Sequence, residues 1–346
     1  MTLHIYANNP NINDMNERRA ICRVGHILQN SHCGDSEKDD YLFIGNIDGT
    51  KDPQFQKYGY LTQLDGLLLG PNFIAIIEFK NYFDPIIAEN LDDPWFAETK
   101  NGREHVKGGN RDNPYLQAKN ARRLLHNYLR SFDASLFNSI PNQSIKTLFS
   151  FVLFHPSLHP NSTLPKLGTN DYWIRLRGVD AVAELALTAG PKEFHLTLTD
   201  MERIAKEAFF AQKWKKMEEL LKSEWGGLYI KQPDNDQPTR IRLWHHDEFT
   251  LGRSSQFGHR FILENDNISR SHAHFTLIDN NYLQVVDLES KNGIFKDDER
   301  VDTNEGILFS AGETIILGSN KPEEATAIWF EKKQTTTRTR LTLTSG

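Results

Sequence analysis

Two apolar runs, LTQLDGLLL and FIAIIEFK, lie on either side of a short turn between Leu61 and Lys80. The turn at 70–72 consists of residue types that adopt turn dihedral angles at little steric cost. Apolar runs separated in this way predict a β-hairpin with two buried strands. Three charged residues interrupt the pattern: Asp65 in the first strand, and Glu78 and Lys80 at the end of the second. Because side chains alternate across a strand, Glu78 and Lys80 point to the same face.

These charged residues need an explanation, because burying carboxylates beside an ammonium group costs free energy unless it is compensated. A divalent metal ion would provide compensation. A plain salt bridge between Glu78 and Lys80 is the alternative, since charged pairs at strand ends are common and contribute little. The E-x-K triplet recurs at 98–100, 289–291 and 331–333, but only the copy at 78–80 ends an apolar strand whose hairpin partner carries an aspartate.

Before the hairpin, the pattern predicts a helix over residues 14–29 and a strand over 41–47. Glu17 lies on the apolar face of this helix, with Ile21, Val24 and Leu28. Two interpretations of Glu17 remain open. Its spacing from Asp14 is that of a capping box, in which it bonds backbone amides; alternatively, the helix brings its carboxylate to a metal site.

After the hairpin, Asn113 and Pro114 are typical of the start of a helix. Gln117 lies on the apolar side of this helix, and a buried amide needs partners, so it is either hydrogen-bonded in the core or faces a polar site. The run TLFSFVLFHP at 147–156 predicts a buried strand. Strand, hairpin, helix and strand in this order indicate an α/β domain.

The last third of the chain is predicted to be all β. Before it, residues 171–190 add a strand and a short helix, and Thr199 with Glu202 forms a capping-box pattern that opens a long helix to about Lys222. From about Gly226, short apolar segments alternate with turns, which is typical of a β-sandwich. The predicted units are an α/β domain at 1–195, a connecting helix at 196–225, a sandwich at 226–332 and a threonine-rich, mobile tail at 333–346.

The composition is that of a soluble globular protein: 346 residues suffice for two domains, and 38% hydrophobic residues support sizeable cores. No apolar run approaches the ~20 residues of a membrane helix, and the N-terminus lacks the pattern of a secretory signal. Cys22 and Cys33 form no disulfide framework, so we expect a cytoplasmic protein without a membrane partner. A zinc site with His26 and His32 is an alternative use, although the spacing matches no usual pair of ligand couplets.

The formal net charge of −6 argues against binding nucleic acid through the charge of the whole protein. Residues 100–130 differ, because eight Lys or Arg stand against Glu104 and Asp112, a net charge of +6 by this count. This stretch is either a solvated surface or a contact for a phosphate backbone. Its basic residues are Lys100, Arg103, Lys107, Arg111, Lys119, Arg122, Arg123 and Arg130.

Taken in chain order, Glu17, Asp65, the triplet at 78–80 and Gln117 resemble the NERD family, the nuclease-related domains of the PD-(D/E)xK superfamily. The resemblance covers residues 14 to about 160 and includes the phrases QLDG, IEFKN, NPYLQAKNA and FVLF, and Trp95 in the insertion after the hairpin. It implies a restriction-endonuclease-like α/β fold, a mixed sheet flanked by helices. It also implies metal-dependent hydrolysis of phosphodiesters, in DNA rather than RNA, although the superfamily contains inactive members.

This resemblance implies a role for each residue. Asp65 and Glu78 would hold Mg²⁺ or Mn²⁺, and Glu17 would complete the metal shell. Lys80 would orient or deprotonate the attacking water or neutralise developing charge, and Gln117 would position Lys80 or the water.

A second resemblance covers about Gly226 to Phe330 and rests on the motifs LGR, NISRSHAHF, VVDLESKNG and IILG. These motifs resemble the forkhead-associated (FHA) domain, a β-sandwich that binds phosphothreonine peptides through loops at one end. By position, the phosphopeptide-binding residues would be Arg253, Ser269, Arg270, Lys291 and Asn292, and Gly252, His272 and Gly293 would keep the loops in shape. Lys291 departs from the family, which often has threonine there; it would either add a phosphate contact or crowd the pocket.

Together, these resemblances imply a metal-dependent nuclease that is recruited or regulated through phosphothreonine recognition. A Ser/Thr kinase and a phosphothreonine protein would be partners, and genome defence is a context by analogy. The alternative is an inactive adaptor that binds nucleic acid or protein without cleavage. The tail threonines, Thr335, Thr336, Thr337, Thr339, Thr342 and Thr344, would allow self-association if phosphorylated, or they belong to an unstructured end.

Overall fold

The first part of the chain folds as a seven-stranded mixed sheet with helices on both faces. The computed structural model describes residues 2–12, 14–30, 39–49, 53–82, 84–109, 111–139, 144–159, 161–254, 260–278, 282–301 and 306–333. The elements are β1 (Thr2–Ala7), α1 (Met15–Asn30), β2 (Asp40–Asp48), β3 (Gln63–Gly70), β4 (Phe73–Asn81), β5 (Ile86–Ile87), β6 (Phe96–Thr99), β7 (Gly102–His105), α2 (Pro114–Phe132), β8 (Leu148–His155), β9 (Ile174–Gly178), α3 (Val182–Thr188), α4 (Leu198–Arg203), β10 (Gln212–Lys213) and α5 (Lys215–Lys222).

The predicted hairpin lies at the centre of this sheet, whose strand order is β10-β1-β2-β3-β4-β8-β9. β3 is antiparallel to both of its neighbours, β2 and β4, whereas β1 is parallel to β2, and β4, β8 and β9 are mutually parallel. The crossover from β4 to β8 contains α2, as a parallel connection requires. The prediction of a mixed sheet flanked by helices is therefore confirmed.

Alternating side chains of the hairpin bury both faces of the sheet. On β4, Phe73, Ala75 and Ile77 belong to one core, while Ile74 and Ile76 belong to the other. The first core includes residues of α1, α3 and α5, and the second includes residues of α2 and α4. Because both faces are covered, the strands are almost continuously apolar, and any charged residue on them needs a bonded partner.

The first two helices agree closely with the sequence-based prediction. α1 runs from Met15 to Asn30, and Asp14 accepts the backbone N–H groups of Asn16 and Glu17 at 2.7 and 3.2 Å. α2 begins at Pro114, with the side chain of Asn113 accepting the Leu116 N–H at 2.9 Å. Both starts are set by a side chain that bonds otherwise unpaired amides of the first turn.

The predicted connecting helix at 196–225 is wrong. The capping box is formed by Thr197 and Asp200 instead of Thr199 and Glu202, α4 runs into a π-helical turn over Ile204–Ala208, and the helix ends there. Phe209 and Phe210 then turn toward an aromatic cluster with Phe55 and Tyr128. β10 pairs with the edge of β1, and α5 packs on α1, so this segment covers the first sheet. Aromatic burial and strand pairing overrode the helical pattern.

A small sheet, β5-β6-β7, forms an insertion between β4 and α2. Trp95 anchors it: the side chain is fully buried, and its Nε1 donates to the carbonyl of Asn90 at 3.1 Å. The insertion packs in a core that also contains Tyr115 of α2 and Phe154 of β8.

The last third of the described chain is a two-sheet sandwich, as predicted. Its strands are β11 (Glu224–Lys231), β12 (Thr239–Trp244), β13 (Glu248–Gly252), β14 (Phe261–Ile262), β15 (Ala273–Ile278), β16 (Tyr282–Asp287), β17 (Ile294–Lys296), β18 (Glu299–Arg300), β19 (Ile307–Ser310), β20 (Thr314–Leu317) and β21 (Thr326–Lys332). One sheet has the order β12-β11-β21-β20-β17-β18, and the other has the order β14-β13-β15-β16-β19. Their inner faces share one apolar core.

The sandwich contacts the first domain through α1. His26 stacks on Trp244 with ring centroids 4.5 Å apart, and Arg19 Nε lies 3.7 Å from the carboxylate of Glu248. Cys22 is buried, with its Sγ 3.5 Å from the sulfur of Met217. Cys22 and His26 thus have packing roles, and Cys33 and His32 lie outside the described residues. No helix in the described ranges has the length and apolar character needed to cross a membrane.

Gly190 packs closely against the turn between β3 and β4. Its φ is +91°, and an added Cβ would lie 1.9 Å from the backbone oxygen of Asn72. We expect Gly190→Ala to lower the free energy of unfolding by at least ~2 kcal/mol, because both backbone conformation and contact are unfavourable. Gly59 is a matched control, since its φ is +112° and an added Cβ meets nothing within 4 Å. Gly59→Ala should cost about 1 kcal/mol. If denaturant titrations show that Gly190→Ala and Gly59→Ala lower the free energy of unfolding equally, the close packing of Gly190 against Asn72 is contradicted.

Candidate functional site

Three polar side chains meet at the end of β4. Lys80 Nζ donates to Oε1 of Glu78 at 2.7 Å and to Oε1 of Gln117 at 3.1 Å, and Gln117 Nε2 donates to the same Glu78 oxygen at 2.6 Å. Glu78 is 6% exposed and Lys80 is 9% exposed. β4 places the charged pair on one face, and the first turn of α2 supplies the amide. The salt bridge between Glu78 and Lys80 is present, but it is part of a larger polar group. Gln117 faces this polar group.

Asp65 lies beside this group, at the end of the pairing between β3 and β4. The paired residues of the hairpin end at Gly66 and Ile77, and the Asp65 carboxylate accepts the Phe79 N–H at 2.8 Å. Loss of solvent around Asp65 raises its pKa well above the usual range, and the charge of Glu78 raises it further. A half-buried carboxylate next to a second carboxylate is the arrangement that a cation stabilises.

Glu17 is a third carboxylate near the site. Burial raises its pKa to about 7, and the charges of Asp14 and Glu78 contribute in the same direction. Asp14 caps α1, but the Glu17 carboxylate makes no hydrogen bond with any described residue. The interpretation that α1 brings Glu17 toward Asp65 and Glu78 is therefore favoured over a capping box.

The donor set fits a hard divalent cation, because carboxylate oxygens are the ligands that Mg²⁺ and Mn²⁺ prefer. Both donors to Glu78 bond Oε1, so its Oε2 accepts no bond from the described residues. Within these ranges, however, no three His, Cys, Asp or Glu side chains are already grouped as a metal site. Glu78 is engaged by Lys80 and Gln117 instead, so a metal ion would be held by the three carboxylates only after their side chains rotate.

The insertion contacts the start of α2. Asn113 donates through Nδ2 to the carbonyls of Leu91 and Asp93, at 2.9 and 2.6 Å, while its oxygen caps the helix. A Cβ on Gly108 would lie 2.0 Å from the Asn113 oxygen and 3.0 Å from Cβ of Gln117. The position of Gln117 is thus fixed by the insertion as well as by α2. Only the capping role of Asn113 was predicted from the sequence.

The sandwich has a second polar site in the loops at one end. Arg253 follows Gly252, the last residue of β13, and its guanidinium donates to the Ile268 carbonyl at 3.1 Å and contacts Asp266 at 3.4 Å. Ser269 Oγ accepts the Lys291 N–H at 2.9 Å. Two loops are thereby brought together with an exposed arginine and a hydroxyl on the same surface.

His272 joins these loops from beneath. Its Nδ1 accepts the Ser269 N–H at 3.0 Å, so Nε2 carries the proton that it donates to the Gly293 carbonyl at 3.0 Å. Full burial lowers the pKa of His272, which keeps the ring neutral. Gly293 has a φ of +85°, and an added Cβ would lie 2.5 Å from the Arg300 side chain. Of the three predicted loop-shaping residues, His272 and Gly293 are therefore bonded to each other, and Gly252 is the last residue of β13.

The remaining predicted residues line the same end. Asn292 donates through Nδ2 to the Asn267 carbonyl at 2.8 Å, while Lys291 and Arg270 are exposed. Two residues that hold this loop were not predicted: Ser290 accepts the Gly293 N–H at 3.0 Å, and Asp287 accepts the Ser290 N–H at 2.7 Å. The run DLESKNG carries their signal, because an Asp or Ser that bonds an amide a few residues later is typical of a turn.

Comparison with known families agrees with the two sites. A model described as a nuclease-related domain, NERD, matches residues 22–155, and a model described as an FHA domain matches residues 249–318. The chain joins a NERD domain to an FHA domain. The first match contains Asp65, Glu78, Lys80 and Gln117 but begins after Glu17, and the second contains all the predicted phosphopeptide-binding residues. No curated protein matches the chain.

Solved structures similar to this chain are FHA domains. The FHA domain of the CT664 protein from Chlamydia trachomatis is 20% identical and covers 31% of this chain and 99% of its own, with a TM-score of 0.26. The FHA domain of an Arabidopsis thaliana hypothetical protein is 20% identical and covers 32% and 92%, with a TM-score of 0.27. The FHA1 domain of yeast Rad53 is 17% identical and covers 35% and 85%, with a TM-score of 0.27.

The basic residues at 100–130 of the NERD domain do not all lie on the surface. Arg122 is buried, donates to the carbonyls of Leu148 and Ile145, and lies 4.9 Å from the ring centre of Trp173. It therefore holds α2 against β8 and cannot contact a ligand. The exposed basic residues on α2 and the preceding loop are Lys107, Arg111, Lys119, Arg123 and Arg130.

The raised pKa of Glu17 makes the stability of the metal-free protein depend on pH. The ordinary value is 4.5 and the folded value is about 7. A raised folded pKa means that the stabilising contribution is complete below 4.5 and is lost as the pH rises through 7. With EDTA at pH 8, the free energy of unfolding of Glu17→Gln, measured by denaturant titration, should exceed that of the wild type by on the order of 1 kcal/mol. The difference is small because Glu17 is partly exposed and solvent screens its charge. At pH 4.5 the two proteins should be equal.

Exposed Glu331 is the control for this comparison, and Glu331→Gln should not change stability at either pH. A Glu17→Gln protein that is less stable than the wild type at pH 8 would show that the Glu17 carboxylate stabilises the metal-free fold, contrary to its raised pKa.

Proposed function

We propose that this protein is a Mg²⁺- or Mn²⁺-dependent nuclease that hydrolyses phosphodiester bonds, in DNA rather than RNA, and that phosphothreonine recognition recruits or regulates it. The observation that supports the nuclease is the buried group of Glu78, Lys80 and Gln117 next to Asp65 in a NERD domain. The observation that supports the regulation is the FHA loop surface formed by Arg253 and Ser269.

Asp65 and Glu78 would hold the metal ion, and Glu17 would add a third carboxylate. When bound, such an ion lowers the pKa of a coordinated water and stabilises charge on phosphoryl oxygens. Lys80 would either orient the attacking water or neutralise charge on the phosphate, since its Nζ is held at the site by two acceptors. Gln117 keeps Glu78 and Lys80 in place through one bond to each.

The substrate is expected to approach along the basic surface of the NERD domain. Lys107 and Arg111 lie in the loop next to Gln117, and Lys119 and Arg123 lie at (i, i+4) positions on the exposed side of α2. Positive charges on one face of the protein can neutralise a phosphate backbone locally, although the net charge of the chain is −6. This local surface is suited to binding the substrate of a nuclease.

The insertion would connect the phosphothreonine site with the proposed catalytic site. The insertion follows β4 directly and contacts the start of α2 through Asn113. A ligand that shifts the insertion would therefore act on Gln117. A Ser/Thr kinase and a phosphothreonine protein are the partners that this function requires, and a cytoplasmic location and a role in genome defence stay predictions. The threonine-rich tail, proposed as a ligand for a neighbouring copy, lies outside the described residues.

One observation favours the inactive adaptor as a second candidate. Glu78 is bonded to Lys80 and Gln117, and the described residues contain no assembled group of three metal-binding side chains. If this bonded state persists in the presence of metal, the NERD domain would bind nucleic acid or protein without cleavage.

Cleavage of plasmid, linear and single-stranded DNA and of RNA with Mn²⁺ or Mg²⁺ tests the nuclease. Glu78→Gln should lower the rate at least 100-fold, since it removes a metal-binding charge, about 3 kcal/mol of barrier. Glu331→Gln is the matched control, because Glu331 also begins an E-x-K triplet but is exposed on the sandwich. Mn²⁺ should raise the melting temperature of the wild type and not that of Glu78→Gln. Absence of both cleavage and metal-dependent stabilisation in the wild type would favour the adaptor.

Binding of a phosphothreonine peptide, measured by fluorescence anisotropy, tests the FHA site. Arg253→Ala should weaken binding by about 10- to 100-fold, the value of a charge-assisted hydrogen bond. Arg242→Ala is the control, because Arg242 is exposed on β12 and does not line the loops. An unphosphorylated peptide should not bind. Equal affinity of the Arg253 and Arg242 variants would show that the phosphate binds elsewhere.

A further inference from the structure

The exposed FHA loops face a cleft shared with the NERD domain. The cleft has a volume of about 870 Å³ and is lined by residues of both domains. From the NERD side come the start of the insertion, the β6–β7 turn and the loop after β8, including Asp84, Glu98, Lys100 and His159. From the FHA side come the predicted phosphopeptide-binding residues Arg253, Ser269, Arg270, Lys291 and Asn292.

An ion pair connects the two walls. Lys100 Nζ, in the turn of the insertion, lies 3.7 Å from the carboxylate of Glu289, which precedes Ser290 in the FHA loop. Lys100 and Glu289 are 50% and 72% exposed in their side chains, so this pair contributes little stability on its own. It does show that a peptide bound to the FHA loops lies within reach of NERD side chains.

The charges of the cleft are unevenly distributed. The phosphate-binding wall carries Arg253, Arg270 and Lys291. Its carboxylates are already engaged: Asp266 contacts Arg253, Asp287 accepts the Ser290 N–H, and Glu289 contacts Lys100. On the opposite wall, the carboxylates of Asp84 and Glu98 outnumber Lys100, and Glu98 also contacts exposed Arg103 at 3.2 Å. Burial raises the pKa of Asp84 and lowers the pKa of His159, so neither group is fully solvated and His159 adds no positive charge. A ligand that matches both walls is negative at one end and positive at the other.

We propose that the NERD insertion is the second wall of the phosphopeptide site, and that the preferred ligand is a phosphothreonine segment with arginine or lysine close to the phosphothreonine. This inference rests on the proposed phosphothreonine recognition. The phosphate contacts the arginines and Ser269 of the FHA loops, and the basic side chain contacts Asp84 and Glu98. An extended peptide advances about 3.3 Å per residue, so residues a few positions from the phosphothreonine reach a facing wall.

The ligand then contacts both domains at once and fixes their relative position. The chain itself contains a segment of this chemistry, because Thr337 and Thr339 in the tail are each followed by arginine. A synthetic peptide of residues 331–346 phosphorylated at Thr337 is therefore a suitable probe.

The test measures anisotropy of three labelled peptides on the full chain: phosphothreonine with neutral flanks, the same peptide with flanking arginines, and the 331–346 phosphopeptide. The proteins are the wild type, the double variant Asp84→Asn with Glu98→Gln, and Arg253→Ala. The control is Glu323→Gln with Glu331→Gln, which removes two exposed carboxylates outside the cleft. Thermal unfolding checks that all variants are folded.

The wild type and the control should bind both arginine-containing phosphopeptides roughly tenfold more tightly than the neutral one, as two partly exposed charge contacts allow. The double variant should lose this preference and keep its affinity for the neutral phosphopeptide. Equal binding of neutral and arginine-containing phosphopeptides to the wild type, or an unchanged preference in the double variant, would overturn the second wall while leaving phosphothreonine recognition intact. No binding of any phosphopeptide, or equal binding by Arg253→Ala, would overturn both.

Discussion

The hydrogen bond from the Phe79 N–H to the Asp65 carboxylate, 2.8 Å long, lies where the pairing of β3 with β4 ends. Both strands are buried on two faces as far as this point, so their backbone groups need protein partners. By accepting that amide, Asp65 satisfies the end of the ladder and remains beside Glu78. One side chain thus closes the hairpin and supplies a carboxylate to the polar group on which the proposed chemistry depends.

The cost of burying Glu78 and Lys80 is offset by their mutual bond and by Gln117, which bonds both. Gln117 is held in turn by the start of α2, and that start is fixed by Asn113, which bonds the insertion through Leu91 and Asp93. The small three-stranded insertion is therefore part of the support of the site. Any displacement of the insertion changes the position of the amide that keeps Glu78 and Lys80 together.

The same insertion faces the FHA loops across the shared cleft. The neutral ring of His272 joins the FHA loops through Ser269 and Gly293. Under the proposed function, a ligand in this cleft would couple phosphothreonine recognition to the NERD site, and the pair of Lys100 and Glu289 already connects the two walls.

Local patterns were sufficient to predict the hairpin, α1, α2 and the sandwich, since alternation and helix caps act between residues close in the chain. They also placed Asp65, Glu78 and Lys80 on the hairpin strands and Gln117 on the apolar side of α2. They failed for residues 196–225, where Phe209 and Phe210 join an aromatic cluster with Phe55 and end the helix. They also counted Arg122 as a surface charge, although it bonds the backbone next to β8. Only the tertiary structure decided these points and brought the insertion opposite the FHA loops, because each depends on contacts between segments far apart in the chain.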